Sequence, residues 1–229
     1  MSDISPSHDP QAETNRFMQQ VYGWMAFALL ISGSIAYYVS VNPTLYDYIY
    51  TKKLFLPLLI LEVVLVLGLT WLVQRISAMV AILVFILYSI TTGLTLSIVF
   101  LIYQLGSVVS IFGVTAGIFA VMSIYGYITK KNLTGVGVLA KFGLIGIIVT
   151  GIMNIFLLSS MIHTIVSIIG VIVFITLTAY DTQKIKEMNI IGNEGTEADT
   201  KEAVMGALTL YLDFINLFLK LLSLFGKRK

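Results

Sequence analysis

Seven apolar stretches separated by short polar connections dominate the chain, at residues 21–41, 54–73, 79–102, 108–128, 138–158, 162–180 and 203–225. Each is close to the ~20 residues that carry a helix across a ~30 Å hydrocarbon core. Backbone polar groups cannot be left unpaired in lipid, so stretches this long and this free of interrupting proline are predicted to be helices. The pattern therefore predicts an all-α membrane protein with seven transmembrane helices. With no internal repeat and no long linker, residues 21–226 read as one domain. A polar segment at 1–20, with Pro6, His8, Asp9, Pro10 and Glu13, precedes it, and the basic tail Lys227, Arg228 and Lys229 follows. The first twenty residues lack the charged start, apolar run and cleavage site of a signal peptide and are expected to be a disordered cytoplasmic tail.

Composition agrees with the pattern. The chain is 58% hydrophobic and 11% charged, against about 25% charged in soluble domains. It has no cysteine, which removes disulfides and Cys-ligated metal centres. No stretch interleaves basic and aromatic residues as a nucleic-acid surface would, so no nucleic-acid partner is expected.

Charge in the connections alternates. Arg16, Arg75, Lys130, Lys131, Lys141, Lys184, Lys186 and Lys201 fall on one side, and Lys52 and Lys53 fall on the other. The positive-inside bias then puts the N-terminus in the cytoplasm. Seven crossings carry the basic tail to the outside, against that bias. The seventh stretch is long enough to cross and is expected to do so. The hydrophilic connection at 182–202 reads as a flexible loop in which Asp199 and Glu202 cap the last helix. Its acidic residues lack the spacing of an EF-hand.

The informative residues are the ionisable ones inside apolar stretches. An intramembrane carboxylate is costly, so it is retained where it faces a bundle interior or a wet cavity. Asp213 lies mid-way along the seventh stretch, in a stripe of Gly206, Thr209, Asp213, Asn216, Lys220 and Ser223 at helical spacing. Asp181 closes the sixth stretch and starts the connection to the seventh, so antiparallel neighbours can bring the two aspartates together. Two carboxyls in contact share a proton and titrate as a pair, clipping two helices. Carboxylate oxygens released from such a clip suit a hard cation, which makes Asp181 and Asp213 candidate metal-contacting groups for calcium. Glu62 lies ~12 Å into the second stretch by helical rise, where it is either a buried hydrogen-bonded group or part of an ion path. Asn154 reads as a helix-to-helix hydrogen bond. Gly143, Gly146 and Gly151 suggest close packing, and His163 stands alone in an outer turn.

Two runs carry a family resemblance: Leu177-Thr178-Ala179-Tyr180-Asp181-Thr182-Gln183 and Leu208-Thr209-Leu210-Tyr211-Leu212-Asp213-Phe214-Ile215-Asn216-Leu217-Phe218. They resemble the two aspartate motifs of the transmembrane Bax inhibitor motif family, in its bacterial branch. Ile60-Leu61-Glu62-Val63 and Gly151-Ile152-Met153-Asn154-Ile155-Phe156 add to the likeness. The resemblance implies six helices wrapped around a central C-terminal seventh. It also implies a pH-sensitive calcium leak of the cell membrane, in a bacterium the inner membrane, governed by Asp181 and Asp213. An arginine paired with the aspartates is part of that pattern, and Arg75 is the basic residue closing the second stretch. Glu62 and Asn216 are assigned to the ion path. Calcium is then the transported ion, with no tightly bound cofactor, and the expected partners are the lipid bilayer, calcium and protons, with room for another membrane protein.

The alternative is a non-conducting regulator of a stress response or of a membrane protease. An aspartyl intramembrane protease is the weakest reading, because Tyr211-Leu212-Asp213 is bulky where such enzymes carry glycines beside the aspartate.

Overall fold

The computed structural model describes residues 9–229. Among the described residues there are eight helices: α1 (Pro10–Ser40), α2 (Pro43–Tyr50), α3 (Phe55–Leu72), α4 (Ala78–Ile102), α5 (Leu105–Ile128), α6 (Thr134–Leu157), α7 (Ser160–Met188) and α8 (Glu197–Phe225). All except α2 are long and apolar enough to span a membrane.

Several boundaries differ from the sequence expectation, each for a local reason. Helix α1 starts at Pro10, so residues 10–20 are helical and not part of a disordered tail. The Asp9 side chain accepts from the Gln11 N–H, and Pro10 takes the first helical position, where a missing N–H costs nothing. The first turn is then held by tertiary contacts, with buried Glu13 accepting from the Gly192 N–H and Arg16 paired to Glu194. The remainder of the expected tail, including His8, lies outside the described residues. Helix α2 was not expected; Asn42 caps it and Pro43 opens it. Helix α7 runs past Asp181 to Met188, which shortens the connection to 189–196. Thr196 caps α8 by accepting from the Asp199 N–H, while Asp199 accepts from the Gly195 N–H, so the cap stands ahead of the predicted Asp199–Glu202 pair.

Helix ends sort into two groups. At one end the N-terminal turns of α1 meet the α7–α8 connection, Lys201 Nζ donates to Ile76 O, and Gln183 bridges to Lys131 O. At the other end the C-terminal residues pair with the α4–α5 turn: the Gln104 N–H donates to Lys227 O and the Lys229 N–H to Ile102 O. Helix α8 therefore crosses the bundle from one end to the other, as expected for seven spans.

Helix α8 is the most buried span and packs against α1, α4, α5 and α7. Tyr211 is fully buried, edge-on to Phe85 and Tyr88, and Phe214 meets Phe112 and Phe119 in the same way. Helix α3 joins the bundle through α4, and α6 joins through α7. Both present long apolar side chains outward, among them Leu56, Trp71, Phe142 and Phe156, which is stable only against lipid tails. Of the three α6 glycines singled out from sequence, Gly143 faces Val173 of α7, whereas a side chain at Gly146 or Gly151 would meet open space.

Candidate functional site

The polar stripe of α8 faces a cavity of about 710 Å³ between α6, α7 and α8. Its polar lining includes Lys141 from α6, Asp181 and Lys184 from α7, and Asp213, Asn216 and Lys220 from α8. Helical spacing puts Thr209, Asp213, Asn216 and Lys220 on one side of α8, and that side faces the cavity because α6 packs mainly on α7 and does not close over it.

Asp181 and Asp213 are 7% and 5% exposed, and their carboxyl groups lie within hydrogen-bonding reach of each other. The Asp213 Oδ2 atom is buried with no protein partner among the described residues. The continuation of α7 makes this contact possible. Asp181 is followed by two further helical turns, among them buried Thr182, Gln183 and Ile185, so it sits inside the bundle and not at a helix terminus. Asn216 donates its Nδ2 to Leu212 O one turn back, which leaves its Oδ1 for a partner on the cavity side.

The cation beside the pair is Lys141. It lines the same cavity as both aspartates, and Lys184 stands one turn along α7 from Asp181. Lys141 Nζ stands 4.8 Å from the centroid of the Tyr180 ring. That ring presses against Gly137, one turn before Lys141 on α6, where any Cβ would overlap it. In the sequence Lys141 reads as a loop charge, although it stands inside the fifth apolar stretch; that position was the available signal.

Other predicted residues are placed elsewhere. Arg75 is exposed in the α3–α4 turn and does not line the cavity. Among the described residues the ion pairs are Arg16–Glu194 and Lys201–Glu197, neither of which includes it. Glu62 accepts from Thr95 Oγ1 at 2.6 Å across the α3–α4 contact and is likewise absent from the cavity. Asn154 does not bridge helices; its Oδ1 accepts from the Ser159 N–H and closes the α6–α7 turn. His163 is in the first turn of α7, near Lys220, and so is not isolated.

The chain matches the family model described as inhibitor of apoptosis-promoting Bax1 over residues 14–229. It is 46% identical to the inner membrane protein YbhL of Escherichia coli (strain K12), with 96% of this chain and 95% of that protein covered. An uncharacterized protein of Borreliella burgdorferi is 41% identical, covering 100% of this chain and 99% of its own. The protein YrjE of Lactococcus lactis is 32% identical over 99% and 97%.

Proposed function

From the premise that this chain belongs to the Bax1 inhibitor family of membrane proteins, we propose that it is a pH-sensitive calcium leak of the bacterial inner membrane. The observation that carries the reading is the contact between Asp181 and Asp213 at a cavity within the membrane-spanning bundle. Two carboxyls so close share one proton, and a shared proton ties α7 to α8. Losing it sets two like charges against each other. Adding a second removes the charge-assisted hydrogen bond and the attraction of Lys141. Either event loosens the α6–α7–α8 seam, and the carboxylate oxygens so released, with Asn216 Oδ1, offer a hard cation the ligands it prefers. In this reading the N-terminus is cytoplasmic, because Arg75, Lys131 and Lys186 cluster at the end where α1 begins.

Calcium flux into liposomes containing the purified protein, followed across pH, tests the proposal. A protein-dependent flux that changes with pH is expected; a flux that is absent at every pH overturns it. A non-conducting regulator is the second reading. It is favoured by Lys141, Lys184 and Lys220, whose three amines line the cavity beside two carboxyls and oppose a divalent cation. Such a protein gives no flux in pure lipid.

A further inference from the structure

The seam between α6, α7 and α8 continues beyond the aspartates. A second, smaller cavity of about 100 Å³ is lined by Gly151 and Asn154 of α6, His163 and Ser167 of α7, and Lys220 of α8. Gly151 and Lys220 line both cavities. The two spaces therefore adjoin, and these residues form the neck between them.

Lys220 is held in that neck by shape. Its aliphatic stem lies on the backbone of α7 at Gly170, where a Cβ would come within 3.0 Å of its Cγ, Cδ and Cε atoms. Glycine at 170 gives the stem its seat, and glycine at 151 leaves the opposite wall open. Neither ion pair among the described residues includes Lys220. On α8 it stands two turns beyond Asp213, ~10 Å by helical rise. Past it, the Ser167–Ser223 hydrogen bond and His163 lead toward the end of the bundle at the α6–α7 turn.

We infer that the seam is the conducting lane and that Lys220, at the neck joining its two cavities, is its charge filter. The inference rests on the leak reading and adds to it the route and the residue that sets selectivity. A cation moving between the cavities passes the Lys220 amine at close range. Repulsion scales with the charge of the moving ion, so the amine holds back a divalent ion more than a monovalent one. A lane with such a filter leaks slowly. Its carboxyl clip and its filter are separate devices two turns apart on one helix.

The test uses purified protein in liposomes, with calcium and potassium fluxes measured for the parent, Lys220→Met, Lys220→Gln and Lys220→Arg. Methionine keeps the unbranched stem on Gly170 without the charge, and glutamine is run beside it so that the result does not hang on one variant folding. In both, calcium flux should rise about tenfold or more, with a higher ratio of calcium to potassium, while the pH dependence persists. Lys220→Arg should keep the parental ratio, which a purely steric role for the side chain would not predict. If the parent conducts and the uncharged variants match it in rate and ratio, the filter is refuted and the leak reading stands. If only the uncharged variants conduct, the filter is supported in its strongest form and the parental leak fails. Silence in all four overturns both.

Discussion

Lys141 of α6 holds its amine 4.8 Å from the centre of the Tyr180 ring on α7, and the next residue of α7 is Asp181. Tyr180 is thus gripped from one helix by two residues a turn apart: Gly137 gives its ring room and Lys141 covers it. A cation over an aromatic face is attracted by the ring quadrupole, so the lysine that shares the cavity with both carboxyls is held in place by packing.

This placement predicts that Lys141, and not Arg75, tunes the carboxyl pair. Lys141→Met should displace the midpoint of the pH profile of flux, while Lys141→Arg keeps a cation there and displaces it less. Arg75→Ala should leave the profile unchanged, because Arg75 is exposed outside the cavity. A midpoint that follows Arg75 and ignores Lys141 would contradict this assignment.

The carboxyl clip predicts that Asp181→Asn and Asp213→Asn each flatten the pH profile and leave a folded protein, since an amide keeps the size and hydrogen bonding of the acid but does not titrate in this range. Glu62→Gln serves as the comparison. Its partner is Thr95 at the α3–α4 contact, so the pH profile should survive. Two aspartate variants that both retain the parental profile would place the gate elsewhere.

The grip on Tyr180 predicts a difference between two α6 glycines. Gly137→Ala drives a methyl group into the ring and should cost about 1–3 kcal/mol, seen as a lower midpoint in thermal unfolding of the detergent-solubilised protein. Gly146→Ala faces open space and should lose nothing, with a gain of about 0.5–1 kcal/mol from replacing a glycine in a helix interior. Equal losses at the two sites would mean that the Gly137 contact does not hold the seam.

Topology is testable independently of flux. Reporters fused after Arg75, Lys131 and Lys186 should all be cytoplasmic, and those after Lys53 and at Lys229 should both be external. The last of these follows from the pairing of the C-terminal residues with the α4–α5 turn. A cytoplasmic signal at Lys229 alongside one at Lys131 would mean that α8 does not cross.

What the sequence determined by itself was set by solvation. Lipid tolerates only internally satisfied backbone, so apolar length alone fixed seven spans, and the cost of an intramembrane carboxylate singled out Asp213 and, beside it, Asp181. The helical stripe from Thr209 to Lys220 was legible for the same reason, because side chains four apart share a face whatever the surroundings. Tertiary structure decided everything that depends on which helices touch. Whether residues 10–20 are helical turned on Glu13 and Arg16 meeting the α7–α8 connection, a contact between residues far apart in sequence. Which cation attends the aspartates depended on the position of α6: hydropathy could not reveal that Gly137 lets Tyr180 approach and so brings Lys141 to the pair. Glu62 and Asn216 read alike as path residues, yet packing turned one toward Thr95 and the other into the cavity. Pairwise proximity is a property of the packed bundle, where side-chain volume and not sequence distance selects the neighbours.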